Sequence, residues 1–195
     1  MLRYGKRGAI VKKDDYVKLF WRQYKLCEKE LINTADYVSI SPQNNDTFSN
    51  QYQKIFFCVC SELDAVASEL CGEEKTKNFP QRMSLIFNKD KSVKFKRVTT
   101  KFPYDTINLV PFDNFKEDEN GQLVSARWWQ DYNDLKHNRS GDNGSGRFNF
   151  QNANLENTLL SLAALYILNV ELSKKCGLET LEDKQLMKSN LFYIN

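Results

Sequence analysis

The sequence reads as a mainly α-helical bundle, for three reasons. Apolar residues recur at three- and four-residue steps over long stretches. Glycine (8) and proline (4) are scarce among 195 residues, which argues against turn-dense all-β designs. One segment, from Leu155 to Leu172, is apolar on nearly every side and suits the centre of a bundle. With 41% hydrophobic and 13% aromatic residues the chain can fill a core, and its length favours one domain over residues 1–195.

Asp14 and Asp15 suit the start of the first helix. Tyr16, Phe20, Tyr24, Cys27, Leu31, Ala35 and Val38 then form its apolar stripe, with Lys18, Arg22, Lys25, Glu28 and Lys29 opposite. That helix is expected to end before Pro42. Thr47 or Ser49 caps a second helix whose stripe runs Tyr52, Phe56, Val59, Leu63, Val66 and Leu70, with Gly72 as its stop. Two long helices across a short loop predict an antiparallel hairpin.

From about 73 to 120 helical periodicity is weak, so an insertion of irregular backbone with one or two short strands is expected. Its charge is uneven. Lys89, Lys91, Lys94, Lys96, Arg97 and Lys101 come first, then Asp113, Glu117, Asp118 and Glu119. The basic portion suits either a phosphate or a solvated surface hairpin. A third helix is predicted over Leu123 to His137, followed by a Gly/Ser/Asn-rich stretch, 138–147, that reads as mobile. A fourth helix, Asn152 to Lys175, is the central one, and the tail from Leu186 to Ile194 is apolar enough to pack back as a short helix or strand.

Composition narrows the function classes. The balance of 28 Lys+Arg against 25 Asp+Glu leaves +3, too little for nucleic-acid binding by bulk charge, although a local patch remains open. The five cysteines, Cys27, Cys58, Cys60, Cys71 and Cys176, read as free buried thiols of a reducing cytoplasm. Cys58 and Cys60 stand about 200° apart on a helix, a poor geometry for sharing a metal. Met1 to Arg7 carries charge without an apolar core, so no signal peptide is expected. Glu156, Asn157, Asn169 and Glu171 interrupt the longest apolar run, which predicts a buried helix and no membrane partner.

The one suggestive constellation surrounds the only histidine, His137. Asn133 lies one helical turn before it on the same face, and Lys136 and Arg139 flank it with positive charge. A histidine at a helix end beside cations has the parts of a phosphodiester-cleaving site. The imidazole moves the proton, a cation stabilises phosphorane charge, and the RNA 2′-hydroxyl is the nucleophile, so no metal is required. The plainer account is structural: the helix dipole favours histidine near a C-terminus by about 0.3–1 kcal/mol, and Trp128, Trp129 and Tyr132 serve as core anchors.

Two long antiparallel helices, an inserted middle, a helix ending Tyr132-Asn-Asp-Leu-Lys-His137, a loop and a strongly apolar last helix together resemble the HEPN superfamily (higher eukaryotes and prokaryotes nucleotide-binding). The resemblance covers most of the chain as a layout, and its sharp residues are Asn133 and His137. It implies a bundle of four to five helices, a homodimer, RNA as partner, no cofactor or metal, and a metal-independent endoribonuclease or a degenerate RNA-binding relative in defence or toxin–antitoxin systems. By the family motif His137 is the catalytic histidine and Asn133 the polar residue, with Lys136 and Arg139 holding phosphate. The motif arginine is missing: Gln130, Asp131 and Tyr132 occupy the positions where it would stand. Arg127 lies about 15 Å back along the helix axis and cannot replace it within one chain. The alternative is a non-catalytic helical module whose Trp128/Trp129 face and basic middle insertion bind a partner protein or a second copy of the chain. A nucleotide-binding bundle ranks below both, because no Gly-rich phosphate loop opens a helix.

Overall fold

A computed structural model describes residues 11–72, 78–119, 123–142 and 146–195 of the chain. It is mainly helical, with two small antiparallel sheets, one of three strands and one of two.

The first helical rod consists of α1 (Lys13–Tyr16), a π-helical stretch Val17–Trp21, and α2 (Arg22–Thr34). Asp14 and Asp15 sit in its first turn rather than capping it; Lys12 is the capping residue and makes no side-chain cap. The rod stops at Thr34, short of the expected Val38. The Thr34 hydroxyl donates to the Leu31 carbonyl at 2.6 Å, and the Thr34 carbonyl accepts from Tyr37 and Val38 in a closing turn. A 3-10 turn, Pro42–Asn44, leads to α3 (Asn50–Cys71). Ser49 caps α3 by accepting the Tyr52 N–H at 3.0 Å. Gly72 ends it at φ +71°, a conformation that costs glycine no Cβ clash. Lys54 of α3 pairs with Glu30 of α2 at 3.2 Å, and Cys58 meets Cys27, so the two helices run antiparallel as expected.

The insertion is more ordered in its elements than periodicity implied. Residues 73–77 and 120–122 lie outside the described residues. Between them Asn78 caps α4 (Phe79–Lys89), accepting the Gln81 N–H at 3.1 Å, with Pro80 in the first turn. Phe79, Met83, Ile86 and Phe87 bury one face of α4. This helix corrects the expected irregular backbone: at 11 residues in a lysine-rich stretch its stripe is short, yet burial against aromatic neighbours stabilises it. A 3-10 turn (Lys91–Phe95) follows, then β1 (Val98–Thr100), β2 (Asn108–Leu109), β3 (Lys116–Glu117) and β4 (Leu123–Val124). β3 and β4 pair antiparallel, so Leu123 and Val124 are strand, and the third long helix begins four residues later than expected as α5 (Arg127–His137). The basic portion is not a free surface hairpin. Lys96 pairs with the largely buried Glu171, and Lys101 donates to the Ser189 carbonyl at 2.6 Å.

After a 3-10 turn (Asn149–Asn152), Asn154 caps α6 (Leu155–Lys175) through the Asn157 N–H at 2.9 Å. Leu155 donates its N–H to the Thr47 carbonyl at the start of α3, and Lys175 Nζ donates to the Glu69 and Leu70 carbonyls at its end. The two helices therefore run parallel, and α6 forms the bundle centre, with Leu159, Leu162, Leu165 and Leu168 fully buried. By length and composition α6 is apolar enough to cross a membrane, and 78% of its apolar window is buried inside the protein.

After α7 (Leu181–Leu186), the tail from Leu186 to Ile194 packs back as the strand alternative, β5 (Phe192–Ile194), which pairs antiparallel with β1 in the order β2-β1-β5. A carboxylate assigned to the polar side of the first rod holds this tail. Glu28 is 1% exposed. Its Oε1 accepts Tyr24 Oη at 2.9 Å, the Asn190 and Leu191 N–H groups at 2.8 and 3.0 Å, and the Ser189 hydroxyl; Oε2 meets Lys25. A buried carboxylate is tolerable when it is hydrogen-bonded, and here the returning tail supplies three of its five donors.

Candidate functional site

Three interactions set the position of α5. Trp128 Nε1 donates to the Pro111 carbonyl at 2.8 Å, docking the helix on the insertion. Trp129 stacks on Phe79 with ring centroids 3.9 Å apart, and Trp128, Phe112 and Phe115 extend the aromatic cluster. Asp131, 6% exposed, accepts from Arg127 Nε at 2.8 Å, Asn157 Nδ2 at 3.1 Å and Asn152 Nδ2 at 3.3 Å, tying α5 to the start of α6. Burial pushes the Asp131 carboxyl above the usual aspartate range, against the opposing pull of Asn157 and Arg127. Trp128 and Trp129 are both buried, so they are core anchors and not the exposed face of a partner-binding module.

The helix ends at His137, and the following chain is tied back at its described residues. Asn149 Nδ2 donates to the Asn138 carbonyl at 2.7 Å, the Phe150 N–H to the Arg139 carbonyl at 3.0 Å, and the Asn149 N–H to the Gly141 carbonyl at 2.7 Å. A side chain at Gly141 would collide with the Asn138 amide. Within 138–147 the described residues Asn138, Arg139 and Gly141 are thus hydrogen-bonded to Asn149 and Phe150; residues 143–145 lie outside the described residues.

His137, Lys136 and Arg139 are all exposed at this helix end. The imidazole has no hydrogen-bond partner among the described residues. Asn133 is half-buried, and its amide donates to the Trp129 carbonyl at 3.0 Å, one turn back within its own helix, rather than to His137. Lys136 Nζ lies 5.6 Å from the Tyr132 ring centroid, a cation–π distance.

Beside this end lies a groove of about 470 Å³ between α3, α4 and α5. Phe79, Trp129 and Tyr132 form its apolar wall, and Ser61, Asp64, Asn78, Asn133 and Lys136 are among its polar lining. Asp64 is paired with Arg82. Of the four predicted site residues, the groove brings together Asn133 and Lys136; His137 and Arg139 are not part of its lining. Ser61, Asp64 and Asn78 were missed from sequence. They come from two other helices, and no local spacing relates them to His137. Among the described residues no group of three or more His, Cys, Asp or Glu side chains is placed to hold a metal ion.

Compared with protein-family models, curated proteins and solved structures, the chain has no match.

Proposed function

We propose that this protein is a HEPN-like RNA-binding protein that grips phosphate with Lys136 and Arg139, and that His137 moves the proton in metal-independent RNA cleavage when two copies pair. The observation that carries this reading is the joint exposure of His137, Lys136 and Arg139 at the end of a firmly anchored helix. A solvent-facing imidazole with exposed cations at neighbouring positions 136 and 139 of the chain is available to a phosphodiester, whereas a sealed one would not be.

The chemistry sets a requirement for the second copy. Attack of the 2′-hydroxyl on the adjacent phosphorus needs a base for that hydroxyl and an acid for the departing 5′-oxygen. The chain holds one histidine, so a second imidazole comes only from another chain. Arg127 is engaged with Asp131, which leaves Lys136 and Arg139 to offset phosphorane charge in place of the missing motif arginine. A homodimer acting in the cytoplasm, in a defence or toxin–antitoxin setting, is the context the resemblance implies.

Incubation with total RNA in the presence of a chelator, wild type against His137→Ala, tests the proposal. The expected result is chelator-resistant cleavage lost in the variant. Equal cleavage in both, or neither cleavage nor RNA retention by the wild type, would overturn it. A non-catalytic interaction module is the alternative, supported by the separation of His137 and Arg139 from the groove lining. Such a module predicts identical RNA behaviour for wild type and His137→Ala.

A further inference from the structure

On the far side of the α2–α3 hairpin, Cys27 and Cys58 bring their sulfurs to 3.4 Å, with the Cys27 thiol donating to Cys58. The two residues are unlike in access: Cys27 is buried and Cys58 exposed. They lie on different helices, 31 residues apart in the chain. Lys54 and Glu62 stand one turn before and after Cys58, and the Glu30–Lys54 ion pair, with Gln51 donating to Glu30 at 2.8 Å, bridges the helices beside them. The Cys27 hydrogen bond pulls the Cys58 thiol down to about 7, Lys54 assisting and burial and Glu62 opposing. The same hydrogen bond, followed by burial, pushes Cys27 far up.

We propose that Cys27 and Cys58 form a reversible oxidation site, with exposed Cys58 as the sulfur that reacts with hydroperoxides and buried Cys27 as the thiol that resolves it. The exposed member meets the oxidant first, and a neighbour in van der Waals reach intercepts its product before further oxidation. The Cys58 thiolate attacks one peroxide oxygen, the O–O bond breaks, and the released hydroxide takes a proton to leave as water, giving Cys58 sulfenic acid. The Cys27 sulfur then attacks the Cys58 sulfur. The S–O bond breaks, and hydroxide leaves as a second water after taking the Cys27 proton. Two thiols and one hydrogen peroxide become one disulfide and two waters. A dithiol reductant reverses the step by exchange. Cys60, Cys71 and Cys176 take no part.

The test uses the full chain. Reduced wild type is treated with hydrogen peroxide, alkylated, and mapped by mass spectrometry without reductant. The expected product is a Cys27–Cys58 linked peptide within one chain, with the linkage reversed by dithiothreitol. In Cys27→Ala, Cys58 is expected to accumulate as sulfenic acid that dimedone traps. In Cys58→Ser, at an exposed position, peroxide-dependent thiol loss is expected to slow roughly tenfold. Wild type that keeps all its thiols, that stops at Cys58 sulfenic acid, or that links Cys58 to Cys58 between chains would overturn the proposal.

Discussion

Glu28 Oε1 accepts the Leu191 backbone N–H at 3.0 Å, joining residues 163 positions apart in the chain. The same oxygen receives the Asn190 N–H, the Tyr24 hydroxyl and the Ser189 hydroxyl, so a single carboxylate organises the turn that carries β5 onto the sheet. Trp21 Nε1, donating to the Leu186 carbonyl at 3.0 Å, holds the same segment near the end of α7.

Removing that carboxylate orphans several buried donors at once. Glu28→Ala is expected to destabilise the protein by about 3–5 kcal/mol, because unpaired N–H and O–H groups keep their full desolvation cost. Urea unfolding measures the loss. Limited proteolysis is expected to cut first near residues 186–191 in the variant. A change under about 1 kcal/mol would show that the tail docks without Glu28.

Asp131 predicts a pH effect with a definite sign. Its folded carboxyl holds the proton to higher pH than the ordinary value of 3.8, so between those values the native state binds more protons than the unfolded one. Stability from this group therefore falls as pH rises from 3.8 through the raised value. Wild type should gain on Asp131→Asn at acid pH and lose that gain on passing through the window. Paired unfolding curves across pH measure it, and a difference independent of pH would refute it.

Leu162, fully buried at the centre of α6, reports on the core. Leu162→Ala is expected to cost about 2–5 kcal/mol, the range for a deleted core leucine. Leu162→Asp places an unpaired carboxylate there and should abolish the cooperative transition seen by calorimetry. A normal melting curve for the aspartate variant would contradict the placement of this helix.

The end of α5 separates stability from binding. His137→Ala is expected to leave unfolding free energy within about 0.5 kcal/mol, since the ring is exposed. Replacing Lys136 and Arg139 with alanine should weaken single-stranded RNA binding and lower the slope of log affinity against log salt by about 0.7 for each phosphate no longer neutralised. An unchanged slope would place the phosphate elsewhere.

Long-range order was legible where one face of one helix carried the information. The stripe of Tyr52, Phe56, Val59 and Leu63 and the Gly72 stop defined the body and end of α3, while the sequence left Thr47 or Ser49 as its cap and the structure chose Ser49. Leu155 to Leu172 announced a central helix because apolar residues on every side leave no face for water. α4 was missed although Phe79, Met83, Ile86 and Phe87 share one face and Asn78-Phe79-Pro80 is a start signal. Surrounding lysines masked eleven residues of helix whose stability comes from packing on Trp129.

The helix end at His137, with its flanking cations, was likewise readable, since it depends on residues within two turns of one another. The groove of Ser61, Asp64, Asn78 and Lys136 was not, because three helices meet to form it. Helical periodicity, caps and stops are local energies, so the order of residues alone was enough to specify a mainly helical chain and most of its long helices. Packing between distant elements was needed to bury Glu28, to set Cys58 against Cys27, and to bring the Asn152 and Asn157 amides to the Asp131 carboxylate. Each of those outcomes turns on a partner brought in from another part of the fold, or on the burial that neighbouring elements impose, and neither is written into the spacing of a single helix.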